Sequence, residues 1–212
     1  MRAGRGVRAA LVPCGPVDVV SERVAAVMRA LEERDARDRI DGTPRSERLR
    51  AVTPEVGRLL CTLVLASGAR EILEIGTSAG YSTLWLASGA RRTGGRVTTF
   101  EVDPAKVALA RATFVEAGVD DVVDLRAEDG LVGLAGTDAD ADLVFLDAEK
   151  EAYEALLEPI VRALRPGGLL VADNLISHAE DLEGFRRAAL GHPSLSGLVV
   201  PIGRGELLAV KR

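Results

Sequence analysis

Short, almost uninterrupted apolar runs such as Leu143-Val144-Phe145-Leu146 and Leu169-Leu170-Val171-Ala172 constrain this chain most. Strands without polar alternation are buried on both faces, which requires a mainly parallel sheet covered by helices. The runs recur from residue 71 onward. Strands are predicted at Glu71–Ile75, Arg96–Val102, Val122–Arg126, Asp142–Asp147 and Gly168–Ala172, with helical patterns at Tyr81–Ala87, Pro104–Ala117 and Glu151–Leu164 between them. The end differs: Leu198–Ile202 and Glu206–Val210 flank Gly203-Arg204-Gly205 and read as two strands joined by a tight turn, so the last strand runs antiparallel.

Ahead of the sheet, Val20, Val24, Val27, Met28 and Leu31 form a helical stripe within Val17–Ile40. The run Glu32-Glu33-Arg34-Asp35 reads as its solvated face. A second helix is expected from Thr53-Pro54-Glu55, with Thr53 as N-cap, to Gly68. The chain of 212 residues therefore divides into a flexible tail over 1–16 and one domain over 17–212, with a helical cap over 17–68. The stripe needs a covering surface, either its own sheet or a second copy. No apolar run is long enough to cross a bilayer, and the basic start with its short apolar core is a poor signal peptide. A net charge of -5 and 3% aromatics speak against a nucleic-acid groove or a base-stacking platform. Two cysteines, Cys14 and Cys61, make no disulfide framework, which fits a reducing cytoplasm.

Glu74-Ile75-Gly76-Thr77-Ser78-Ala79-Gly80-Tyr81-Ser82 lies where the first strand turns into a helix. Glycine there lets a ligand approach the backbone, and a helix N-terminus offers free N–H groups. Glu101 ends the next strand, where an acid binds ribose hydroxyls. A dinucleotide loop needs G-x-G-x-x-G, but Ser78 holds the middle position and Gly80 comes too early, so an S-adenosylmethionine loop fits better. A plain strand-to-helix turn is the bland alternative.

Two further strands end in Asp147-Ala148-Glu149-Lys150 and in Asp173-Asn174. Ligands bind beyond the carboxyl ends of such strands. Asp147, Asp173 and Asn174 offer oxygen donors suited to a hard divalent cation: Mg²⁺ foremost, with Mn²⁺ and Ca²⁺ as alternatives. Lys150 reaches the same space, and a nearby cation disfavours its ammonium form, as a general base requires. Strand-end Asp also serves as a helix N-cap and Asp-Asn as turn chemistry, so the residues alone leave the metal open.

From Thr53 to Lys211 the chain resembles the cation-dependent O-methyltransferases, the group of catechol and caffeoyl-CoA O-methyltransferases with small bacterial members. Its marks are Thr53-Pro54-Glu55-Val56-Gly57, the glycine loop, Phe145 through Tyr153, and Gly167-Gly168 leading to Asp173-Asn174. The resemblance implies a doubly wound, seven-stranded class I methyltransferase sheet (α/β, Rossmann-like) with its last strand antiparallel. It implies S-adenosylmethionine held by Glu74, Gly76, Thr77 and Ser82 at the methionine part, Glu101 at the ribose, and Asp129 and Gly130 at the adenine. Val52, Asp147 and Glu149 complete that cofactor site. Asp147, Asp173 and Asn174 would hold the metal and Lys150 would be the base, O-methylating a vicinal-dihydroxy aromatic small molecule, in a homodimer.

The chain departs from the family at Ser177, where an aromatic wall is common, at His178, a candidate substrate contact, and at Arg204, which replaces an acid and reads as surface variation. Tyr153 is expected on the cofactor side, if it is functional. Three other readings compete: a metal-independent methyltransferase, a non-catalytic S-adenosylmethionine-binding protein, and an NAD-dependent oxidoreductase.

Overall fold

A computed structural model describes residues 19–136 and 140–212; the predicted tail over 1–16 lies outside them. Helix α1 (Glu22–Asp38) starts at Ser21, whose hydroxyl accepts from Val24 N, and α2 (Pro54–Ser67) starts at Thr53, with Pro54 in the first turn. Pro lacks the N–H that a first turn leaves unused, so it costs nothing there. Gly68 closes α2 in the left-handed conformation, at φ 66°.

Strands β1 (Glu71–Ile75), β2 (Arg96–Phe100), β3 (Val123–Arg126), β4 (Ala141–Leu146), β5 (Leu164–Ala172), β6 (Leu195–Val200) and β7 (Glu206–Lys211) form one sheet in the order β3-β2-β1-β4-β5-β7-β6. Pairs from β3 to β5 are parallel, and β7 runs antiparallel between β5 and β6. The order reverses between β1 and β4, the crevice where open α/β sheets bind ligands.

Two apolar cores lie on the two faces. One joins Val24, Met28, Leu31, Leu60, Val64 and Phe145; the other gathers Val144, Leu146, Tyr153, Ile160 and Phe185. The α1 stripe is therefore covered within its own chain and calls for no second copy. Helices α3 (Tyr81–Thr93) and α4 (Pro104–Ala117) join α1 and α2 on the first side, and α6 (Tyr153–Ala163) lies on the second. No helix among the described residues is long and apolar enough to cross a membrane.

Some bounds differ from the sequence pattern. Helix α3 runs past Ala87 because Ser88, Gly89 and Ala90 are still buried, with Gly89 seated against Val64 of α2. Strand β5 begins at Leu164 and takes in Pro166-Gly167-Gly168 through a register shift against β4. The short helices α5 (Gly130–Ala135) and α7 (Glu183–Gly191) have no counterpart in the predicted elements. Asp35 is not on a solvated face: it turns inward, and its carboxylate accepts from Ala51 N at 3.2 Å and pairs with Arg39. With Asp38 accepting from Leu49 N, it pins the segment that carries Val52.

Phe145 is fully buried at the middle of the sheet. Phe145→Ala should cost about 3–5 kcal/mol, read as a lower urea midpoint at unchanged slope.

Candidate active site

The site grows from the close contact of two strand ends. Asp147 N donates to Ile75 O at 2.9 Å, and Gly76 N to Phe100 O at 3.1 Å. Gly76 has φ 100°, and a Cβ there would land on the Asp147 carbonyl oxygen. Only glycine lets the loop cross β4 this closely.

On one side of this crossing a cleft of about 560 Å³ opens, lined among others by Gly76, Glu101, Asp129, Gly130, Asp147 and Glu149. The Glu101 carboxylate accepts from Ser78 N at 2.7 Å and from Val102 and Asp103 N at 3.0 Å. Asp129 caps α5 by accepting from Leu131 N. Glu149 pairs with Arg50, whose guanidinium lowers its pKa. Val52, Thr77 and Ser82 line the adjoining inner pocket with Lys150, Asn174 and His178.

Glu74 lines neither space. It is fully buried, and its carboxylate accepts from the hydroxyls of Ser82, Thr83 and Thr99 beneath the glycine loop. Burial raises it to about 7 against those three hydrogen bonds. Its carboxylate braces the loop from beneath, and the Ser82 hydroxyl donates to it while still lining the inner pocket.

Beyond β4 and β5 the second cluster converges. Asn174 Nδ2 donates to Asp147 Oδ1 at 2.8 Å, and Lys150 Nζ lies 3.4 Å from the same oxygen. Asn174 takes φ 77°, a left-handed turn that Asn tolerates, and its N–H donates to Asp173 Oδ1. Burial and then Asp173 push Asp147 up to about 6, against the pull of Lys150. Tyr153 belongs here and not on the cofactor side. It is fully buried, with its hydroxyl 3.3 Å from Lys150 Nζ and 3.1 Å from Asp173 O. Burial, reinforced by both aspartates, raises its pKa well above the ordinary phenol range, so it stays a neutral prop for Lys150.

Asp173 Oδ2 and both oxygens of Glu206 are buried acceptors without a donor. Facing carboxylates cannot satisfy each other unless a proton or a cation lies between them. Oxygens from Asp147, Asp173 and Asn174 suit a hard cation that keeps part of its water shell. Among the described residues no three of His, Cys, Asp and Glu converge on one point, so such a set rests on two carboxylates and a carboxamide. The sequence pattern does not single out Glu206, which reaches Asp173 only through the pairing of β7 with β5.

Arg204 is not surface variation. It lines the inner pocket, and its charge acts on Asp147. Its carbonyl accepts from Ile176 and Ser177 N at 3.0 and 2.9 Å, locking the β6–β7 turn onto the loop after β5. His178 lines the same pocket, with Nδ1 3.0 Å from Ser177 Oγ.

The sequence pattern of the O-methyltransferase family matches residues 28–186. A Mycobacterium tuberculosis protein whose name places it among the O-methyltransferases is 39% identical over 177 residues, covering 76% of this chain and 78% of its own. The catechol O-methyltransferase of that organism is 44% identical over 129 residues, 59% of this chain and 57% of its own. The crystal structure of a Bacillus cereus O-methyltransferase in complex with SAH superposes with a TM-score of 0.76 at 27% identity, covering 96% and 94% of the two chains.

Burial, then Asp173 and Asp147, push Glu206 up to about 10 from 4.5. Folding therefore keeps it protonated while the unfolded chain ionises, and stability falls as pH rises from 4.5 towards 10. Glu206→Gln should raise the melting temperature in EDTA at pH 8 by roughly 4–8 °C, taking about 2 kcal/mol for the buried carboxyl. The gain should vanish near pH 4, as followed by circular dichroism.

Proposed function

The chain belongs to the S-adenosylmethionine-dependent O-methyltransferase family, and from that premise we propose that it methylates one hydroxyl of a vicinal-dihydroxy aromatic with the help of a divalent cation. The observation that carries this reading is the convergence of Asp147, Asn174 and Lys150 beside the buried, undonated Asp173 Oδ2, one strand away from the glycine loop. The relative named for catechol supports the acceptor class.

Asp147, Asp173 and Asn174 would hold the cation. When bound, it supplies Lewis-acid charge that lowers the pKa of a neighbouring phenol and orients two adjacent oxygens. The protein's own groups do the rest. Lys150 Nζ, propped by Tyr153 and the Ala148 carbonyl at 2.9 Å, takes the phenolic proton. Gly76 and Thr77 line the inner pocket next to Asp147, where they would bound the space shared by the cofactor's methyl group and the acceptor oxygen. Glu101, anchored by three backbone N–H groups, stands where the cofactor's ribose is expected.

Methyl transfer from labelled S-adenosylmethionine to a panel of catechols, in Mg²⁺ or in EDTA, tests the reading. Product should form only with metal, and Lys150→Ala should lower kcat by about 10²–10⁴ while SAH still binds by calorimetry. Product that survives EDTA overturns the cation's role. Gly76→Ala should abolish SAH binding in the same calorimeter, because its Cβ displaces the Asp147 main chain; retained affinity would contradict the close approach.

A further inference from the structure

Strand β7 sends Leu207 and Ala209 into the apolar core, yet it opens on Glu206, whose side chain is just as fully buried. Register places that carboxyl. Ala172 of β5 lies opposite Leu207, so Asp173, the next residue, comes opposite Glu206, and Val200 of β6 flanks Glu206 on its other side. Beyond the pair, Leu175 N donates to Gly205 O at 2.8 Å. The two backbones are therefore tied together on both sides of Asp173 and Glu206, and neither side chain is open to solvent.

Asp173 Oδ2 and both oxygens of Glu206 find no donor elsewhere among the described residues, while the two side chains lie within hydrogen-bonding reach of each other. A carboxyl buried in this way costs free energy that an apolar side chain in the same strand would avoid. The cost is offset where one hydrogen is shared: the Glu206 O–H then donates to Asp173 Oδ2 in a short, charge-assisted bond. Asp173 Oδ1 already accepts from Asn174 N. Both oxygens of Asp173 are thus held, and the second lone pair of each stays free for a cation. Glu206 is not itself a third carboxylate ligand beside Asp147 and Asp173, because among the described residues no three of His, Cys, Asp and Glu converge on one point.

Resting on the proposed cation site, we propose that Glu206 is a positioning residue for it: its carboxyl hydrogen-bonds Asp173 and fixes the orientation in which Asp173 takes a divalent cation. A ligand carboxylate without such a partner loses conformational freedom each time a cation binds. Groups that hydrogen-bond a ligand from outside the coordination sphere remove that cost, and losing one typically weakens metal binding by about 10–100-fold. Glu206 fills this place from β7, as Asn174 N does from the neighbouring residue.

Two substitutions separate the hydrogen bond from the side chain's bulk. Glu206→Leu removes the donor at similar volume, whereas Glu206→Gln keeps one, its carboxamide N–H standing in for the O–H. The fold of each is first checked by thermal melting in EDTA, with Glu206→Met replacing the leucine substitution if that one unfolds. SAH affinity by calorimetry should be the same in all, because Glu206 lines neither the cofactor cleft nor the inner pocket. Mn²⁺ is then titrated into each protein with SAH present, the unbound ion being read by electron paramagnetic resonance, and Mg²⁺ is added in competition. Glu206→Leu should raise the Kd for both ions roughly 10–100-fold, and Glu206→Gln should stay close to the wild type. Wild-type affinity in Glu206→Leu overturns the inference. An equal loss in both variants also overturns it, since Glu206 would then act by its charge and not by its hydrogen bond. No binding to the wild type removes the cation reading and the inference together, while the other two outcomes leave the cation reading standing.

Discussion

The approach of Gly76 to the Asp147 main chain is the constraint on which the rest depends. Two parallel strands, β1 and β4, meet at the reversal of strand order, and the loop leaving β1 crosses the end of β4 with no room for a Cβ. That crossing lets the glycine loop and Asp147 line both the cleft and the inner pocket beside it. Glu74 fixes the loop from below through three hydroxyls, and Glu101 fixes it from the side through Ser78 N. Both acids therefore act first on the protein's own backbone and side chains.

The second organising force is electrostatic. Asp147 and Glu206 each interact with Asp173 at one end of the sheet, and Lys150 lies beside Asp147. Burial and the neighbouring Asp173 raise the pKa of both Asp147 and Glu206, so each favours its neutral form.

Local pattern was a good guide where a residue's role follows from its immediate neighbours in the chain. Thr53-Pro54 announces a helix start, Gly68 its end, and Leu143 to Leu146 a strand buried on both faces. The acids that close β2, β4 and β5 pointed to one edge because parallel strands share a direction. Where a side chain turns is a different matter. Asp35 sits in a charge run yet faces inward to hold Ala51 N, and Tyr153 supports Lys150 rather than the cofactor cleft. Helix α5 escaped notice because its six residues are too few to show a period.

Sequence by itself determined the α/β alternation, the glycine loop, the antiparallel last strand and the Asp147, Lys150, Asp173 and Asn174 set, since each is written in periodicity or in contiguous motifs. Only the tertiary structure decided what Glu206 and Arg204 are. Each lies within three residues of the other in an ordinary hairpin, and nothing local tells one from the other's surroundings. Strand pairing of β7 with β5 buries Glu206 against Asp173, and the clamp onto the loop after β5 turns Arg204 over the inner pocket. Both outcomes depend on contacts between segments about thirty residues apart, and such contacts leave no trace in the order of neighbouring residues.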